Sequence, residues 1–257
     1  MEFASSRVKR CRYGWMLYSG AFKWDIPTSF ELYGEYSESE VSCLRQLVNA
    51  GDTVLDIGAN IGDLTVPLAQ MVGESGSVYA FEANPSNFNY LCANLALNDL
   101  TNVRPINCYV TPAGGGVNTY FTGDRWRAQT TAIDDLQLPA CALIKIDVDG
   151  AERTVLESGG ATVARHRPIL YFENDVRDAS AALLAYTLGL GYDLYWHLAP
   201  VFNPNNFAGN RKSYWDYTLI SAMILGVPNE RGQNIDGLMK ITTADEWWQE
   251  RVTAATG

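Results

Sequence analysis

The sequence predicts an α/β fold, a doubly wound and mostly parallel seven-stranded sheet of Rossmann-like type. Two observations lead there. Four β-branched or apolar runs each end on an acid, at Thr53 to Asp56, Val78 to Glu82, Leu143 to Asp147 and Ile169 to Glu173, and helix-length segments lie between them. Such alternation is what a parallel sheet covered on both faces requires. The 257 residues, 47% hydrophobic and 19% charged, suit one α/β domain with appendages.

In chain order, residues 1–34 read as an N-terminal arm, 35–228 as the domain and 229–257 as a C-terminal tail. The arm carries Arg7, Lys9, Arg10 and Arg12 against Glu2 and is expected to be solvated. From Ser37 to Val48, apolar Val41, Leu44, Leu47 and Val48 fall at helical spacing, with Ser37 or Ser39 as N-cap and Gly51 beyond the end. The next helix, Ile61 to Met71, contains Pro67, which should kink or shorten it. Asn84 can cap a helix with Pro85 in its first position and Phe88, Leu91 and Leu95 as its buried stripe.

Val103 to Tyr109 reads as a third strand, and 112–123, with Gly114 to Gly116, as an excursion of short strands. A helix from Ala151 to Glu157 should end at Gly159 and Gly160, and another should cover about 179–188. Tyr192 to Leu198 and Tyr217 to Leu225 complete the sheet. Pro200 to Asp216 fits no strand: four asparagines, two prolines and four aromatics in a long connection favour a functional loop.

The net charge of −10 argues against a phosphate backbone as partner, so nucleic acid is not expected. Cys11, Cys43, Cys92, Cys108 and Cys141 show no CxxC spacing, which suggests neither a disulfide framework nor a zinc site and fits a reducing, cytoplasmic setting. No apolar stretch approaches the roughly 18 residues needed to span a bilayer.

Open parallel sheets bind ligands at the carboxyl ends of their strands, so Asp56, Glu82, Asp147 and Glu173 should line one edge. Crowded carboxylates resist ionisation unless the ligand brings positive charge or hydroxyl donors. S-adenosylmethionine, with its sulfonium, ammonium and ribose diol, meets that need better than a diphosphate. In Asp56-Ile-Gly58-Ala-Asn60-Ile-Gly62 the spacing is GxxxG and not the GxGxxG of dinucleotide proteins. Gly58 and Gly62 permit close approach, while Glu82, at the next strand end, can accept both ribose hydroxyls. Asp56, Gly58, Asn60, Gly62, Glu82 and Asn84 are therefore the candidate cofactor residues.

DIGANIG at 56–62, FEANP at 81–85, TTAIDD at 130–135 and especially LIKIDVDGAE at 143–152 resemble the FkbM family of class I S-adenosylmethionine-dependent methyltransferases, over about residues 35–228. The resemblance implies methyl transfer to a hydroxyl oxygen, often of a sugar or glycan, with S-adenosylhomocysteine as product. Asp149 departs from the pattern, which more usually has glutamate there.

An alcohol loses its proton as the new bond forms, so a base or a metal must take that proton or lower its pKa. Asp147, Glu173 and His197 are the candidate catalytic residues. Asp147 with Glu173, Asn174 and Asp175 also resembles a magnesium site of catechol-type methyltransferases, although a side-chain base is favoured over a divalent metal. Lys145 shares the strand face of Asp147 and reads as a lysine paired to a nearby carboxylate in preference to a catalytic group. On the acceptor side, Phe202, Asn203, Asn205, Asn206, Phe207, Tyr214 and Trp215 can stack on and hydrogen-bond a polyhydroxylated acceptor, or can simply hold the loop by turn chemistry. The alternatives are an NAD-type oxidoreductase and a catalytically silent cofactor-binding module.

Overall fold

The computed structural model describes residues 6–20, 25–112, 117–122, 124–214, 219–232 and 235–250. The chain opens with a hairpin, β1 (Ser6–Cys11) and β2 (Gly14–Ser19), followed by α1 (Asp25–Tyr33) and α2 (Glu38–Leu44). Alternation then begins: β3 (Thr53–Ile57), α3 (Thr65–Val72), β4 (Ser77–Phe81), α4 (Pro85–Leu97) and β5 (Val103–Ile106). An excursion follows, β6 (Cys108–Val110), β7 (Val117–Thr122) and β8 (Asp124–Thr131). The chain returns through β9 (Leu143–Ile146), α5 (Glu152–Glu157), α6 (Gly160–His166), β10 (Ile169–Glu173) and α7 (Arg177–Gly189). It closes with β11 (Tyr192–Pro200), β12 (Ile220–Pro228) and β13 (Met239–Ile241).

The main sheet has eight strands in the order β13-β11-β12-β10-β9-β3-β4-β5. From β5 to β10 every pairing is parallel, whereas β12 runs antiparallel to both β10 and β11. The doubly wound α/β class is as expected; the eighth strand is β13, whose three residues pair with Leu194 to Trp196. A segment that short carries almost no periodic signal.

Strand alternation sorts the core onto two faces. Leu55, Ile57, Ile144, Ile146, Leu170 and Phe172 meet Val155, Leu156, Leu183 and Leu184 of α5 and α7. Val54, Val78, Leu143 and Tyr171 meet Val41 and Leu44 of α2, Leu68 of α3 and Leu91 of α4.

Several local expectations change for physical reasons. Pro67 is the third residue of α3, inside the first turn, where a missing N–H breaks no intrahelical bond. The expected third strand splits at Asn107, whose side-chain amide donates to Glu82 O at 2.8 Å and Ala83 O at 3.2 Å; β5 stays in the main sheet and β6 joins a small sheet with β8 and β7. Gly159 and Gly160 do not end the helical region: α6 starts at Gly160, and a Cβ on Gly159 would lie 3.0 Å from Ile133.

The basic N-terminal residues are not a solvated arm from Ser6 onward. Cys11, Met16 and Tyr18 are buried against Phe30 of α1. Arg7 pairs with Glu31 at 2.7 Å and Arg12 with buried Glu35 at 2.6 Å. The outer edge of β2 is closed by two side chains of α4. Asn94 exchanges bonds with Leu17 N and O at 2.6 and 3.0 Å, and Asn98 does the same with Trp15 at 2.8 and 2.7 Å. Residues four apart on a helix rise about 6 Å and residues two apart on a strand about 6.8 Å, so the two asparagines match the strand's repeat.

Candidate active site

The sheet reverses its winding between β3 and β9, and a cleft of about 480 Å³ opens there at the strand ends. Its walls include Gly58 and Asn60 of the glycine loop, Glu82 and Asn84 after β4, Tyr109 of β6, and Asp147 and Asp149 after β9.

The glycine loop is shaped by the protein's own backbone. Gly58 sits at φ +80°, and a Cβ there would come within 1.8 Å of Asp147 O. Any side chain would therefore strike the neighbouring strand end before it reached a ligand. Gly58 N and Ala59 N both donate to Phe81 O at 2.9 Å, which ties the loop to β4. Asn60, at φ +48°, then turns its amide toward Glu82.

Glu82 Oε2 accepts from Asn60 N at 2.8 Å, and Oε1 accepts from Asn84 N at 2.7 Å. Two main-chain donors thus fix the plane of the carboxylate, and each oxygen keeps acceptor capacity toward the cleft. Burial pushes the Glu82 carboxyl up to about 7, against the opposing pull of these two amides. Asn84 also caps α4, accepting from Ser86 N at 2.9 Å, so β4's end, the carboxylate and the helix start form one unit.

Beneath the cleft lies a buried charge cluster. Lys145 Nζ stands 3.2 Å from Asp56 Oδ1 and 3.7 Å from Asp147 Oδ2, and donates to Gly58 O at 3.0 Å. Burial alone would lower the lysine's pKa; Asp56 and Asp147 outweigh it and hold the ammonium charged. Asp56 Oδ2 accepts from Thr65 Oγ1 at 2.6 Å. With both oxygens engaged and no exposure, Asp56 braces α3 and β9 from below and forms no part of the cleft wall.

The other candidates are distributed as follows. Gly58, Asn60, Glu82, Asn84 and Asp147 line the cleft; Asp56, Gly62, Glu173 and His197 do not. Gly62 lies behind the loop, with Leu91 Cδ1 3.0 Å from where its Cβ would be. Glu173 stands behind Asp147 and hydrogen-bonds to it; burial first, then the charges of Asp147 and Asp175, push its carboxyl up to about 10. His197 is two strands farther along the sheet, level with Met223 and Glu173. Its Nδ1 meets Tyr171 Oη at 2.8 Å and its Nε2 meets Ser39 Oγ at 3.3 Å, while burial lowers its pKa. The imidazole is packed between Tyr171 and Ser39, away from the cleft.

The asparagine loop is tied to the N-terminal region. Asn203 donates to Glu35 Oε1 at 2.8 Å and accepts from Asn205 N at 2.9 Å. Buried Asn206 donates to Asn203 O and Asn210 O and accepts from Asn210 N. Arg12 holds Asn205 O, Phe202 packs edge-on against Tyr33, and Phe207 N and Tyr214 N donate to Glu35 and to Tyr33 Oη. Phe207 and Tyr214 keep exposed rings, and Trp215 lies outside the described residues.

Tyr109 and Asp63 are among the cleft residues that went unmarked in the sequence. Tyr109 was hidden at the break between β5 and β6. Asp63, directly after Gly62, was legible as an acid next to the glycine loop, but the sealing of its Oδ1 was not.

S-adenosylmethionine fits this donor set. The fixed Glu82 carboxylate suits a ribose diol, and the excess of carboxylates suits a cation. A diphosphate does not fit, because Asp63 stands just before α3, where a dinucleotide protein would turn helix N–H groups toward phosphate. Among the described residues no group of three or more His, Cys, Asp or Glu is arranged to hold a metal ion. No helix among them is long and apolar enough to cross a membrane.

The methyltransferase FkbM domain model matches residues 56–194, more than half of the chain. The tRNA(Phe) (4-demethylwyosine(37)-C(7)) aminocarboxypropyltransferase of Methanocaldococcus jannaschii is 37% identical over 89 residues, 35% of this chain and 34% of that protein. The crystal structure of a methyltransferase FkbM from Methylobacillus flagellatus KT superposes with TM-score 0.51 at 16% identity, over 73% of this chain and 50% of that one. The chain thus spans about a third to a half of the length of these relatives.

The tRNA-directed relative corrects the expected partners. The net charge of −10 argues against nucleic acid, yet a protein that shares this segment bears a tRNA substrate in its name. Net charge averages over a surface on which charge is not uniform, and here Arg7, Lys9, Arg10 and Arg12 are gathered on one hairpin. With its glycine loop, strand-end acids and sheet order in place, and with the domain model covering most of its core, the chain belongs to the FkbM family of S-adenosylmethionine-dependent methyltransferases.

Proposed function

We propose that this protein transfers the methyl group of S-adenosylmethionine to a hydroxyl oxygen of its acceptor. The observation that carries the reading is the Glu82 carboxylate, aimed by Asn60 N and Asn84 N at a cleft whose floor holds Lys145 between Asp56 and Asp147. In this reading Glu82 takes the ribose diol, and Gly58, Asn60 and Asn84 form the wall beside it. The sulfonium supplies an already activated methyl group, so the protein's part is placement and proton removal.

Asp147 is the proton acceptor. It is a cleft acid 3.7 Å from Lys145, and its side chain keeps 41% of its exposure. A strong base is not required, since the acceptor oxygen becomes far more acidic as its bond to carbon forms, and a carboxylate then suffices. Glu173, protonated and bonded to Asp147 from behind, fixes the orientation of that carboxylate.

The test uses cofactor labelled separately in the methyl and in the aminocarboxypropyl group, with hydroxyl-bearing small molecules and tRNA as acceptors. Methyl transfer leaves S-adenosylhomocysteine. Release of 5′-methylthioadenosine with labelled acceptor would instead assign the aminocarboxypropyl transfer named for the Methanocaldococcus jannaschii relative. Label on a nitrogen or carbon atom of the acceptor would overturn the hydroxyl assignment.

A further inference from the structure

Asp63 is a half-buried acid, with one carboxyl oxygen sealed from solvent, that the proposed chemistry leaves unused. It lines the cleft together with Asn60, Glu82 and Asp147, and it also lines the small hollow behind, where Arg12, Tyr13, Glu35 and Tyr36 of the N-terminal region face it. Its Oδ1 is sealed from solvent and has no hydrogen-bond partner among the described residues. A sealed carboxyl oxygen without a donor costs free energy until a donor arrives.

The surrounding charges show what that donor must be. From β3, β9 and the turn after β9, Asp56, Lys145 and Asp147 act on Asp63, and Lys145 is already shared by the other two carboxylates. On the hairpin side Arg12 is held by Glu35 at 2.6 Å. Asp63 is therefore a third carboxylate around one lysine, with no cation of its own. A sulfonium could balance charge but has no N–H or O–H with which to satisfy an orphaned oxygen. An alkylammonium brings both charge and three donors.

Resting on the cofactor reading above, we propose that Asp63 is the counter-ion of the α-ammonium group at the amino-acid end of S-adenosylmethionine. Glu82 and Asp63 flank the glycine loop on the strand side and the helix side, so the pair measures the cofactor from ribose to ammonium. The proposal has a proton consequence. Burial, aided by Asp56 and against Lys145, pushes the free Asp63 carboxyl up to about 8, so near pH 7 the empty site holds a proton that docking of the ammonium expels to solvent.

Calorimetric titration tests this with wild type and Asp63→Asn, in two buffers of different ionisation enthalpy at pH 7. The ligands are S-adenosylhomocysteine and 5′-methylthioadenosine, which lacks the amino-acid end. Wild type should release about one proton more than the variant on binding S-adenosylhomocysteine. The variant should bind that ligand about tenfold or more weakly, yet bind 5′-methylthioadenosine as wild type does, which also shows that it is folded. Equal proton release in both proteins, or an equal loss of affinity for both ligands, would overturn the role of Asp63 and leave the cofactor reading standing. Wild type that binds neither ligand would remove the cofactor reading and this inference with it.

Discussion

The cleft and the asparagine loop are built from the same polar residue types, and they use them in opposite ways. At the cleft, main-chain amides hold Glu82 from one side, so its remaining acceptor capacity points outward. In the loop, Asn203, Asn206 and Glu35 satisfy one another and nearby backbone, which leaves little to offer. A polar cluster is a binding site when its partners come from one side only, and a brace when they come from all sides. Composition cannot separate the two cases.

The sharpest way to break this contrast is Asp147→Asn. Turnover should fall by about 10²- to 10⁴-fold, as for loss of a general base, while cofactor affinity measured by calorimetry stays near wild type. A variant that kept full turnover would return proton removal to another group. Glu82→Ala comes next, weakening cofactor binding by about 1–3 kcal/mol through the lost charge-assisted bonds to the ribose. Asn206→Ala should do the reverse. Stability in denaturant drops by about 1–2 kcal/mol because the loop loses three internal bonds, and cofactor affinity is unchanged. A loss of cofactor affinity there would make the loop part of the cleft after all.

The smallest effect concerns pH. Burial and Asp147 raise Glu173 from 4.5 to about 10, so between those values the native protein holds a proton that the unfolded chain has released, and stability falls as pH rises. Glu173→Gln removes that cost. At pH 8 the variant should melt about 2–4 °C higher, and the difference should vanish below about pH 4. A variant that melted lower at pH 8 would mean that Glu173 supports the fold as an ionised group.

The parts legible in the sequence are those whose signal is local. The acid-terminated strand runs and the Asn84-Pro85 helix start are short-range patterns, and each is found where the pattern puts it. What escaped depends on partners distant in the chain. Ser6 to Cys11 reads as charged and irregular because that strand buries only Cys11, and its cations find acids on α1 and beyond. The loop's order depends on Glu35, which lies 168 residues from Asn203. Asp56 and Asp147 belong to acid-bearing runs that lie side by side in the sheet and look equivalent, yet one is sealed under the sheet and the other opens onto the cleft. The difference is made by Lys145 and Thr65, which occupy both oxygens of Asp56.

Asn94 and Asn98 on α4 carry a consequence for how this molecule meets its own kind. The main-chain rungs of Trp15 and Leu17 that face away from β1 are already filled by side-chain amides. A strand from a second molecule would find no open rungs at those positions, so the hairpin resists being extended into a continuous intermolecular ribbon. Two helix-borne asparagines thus guard against fibrillar self-assembly, a task usually left to prolines, bulges or charged flanks.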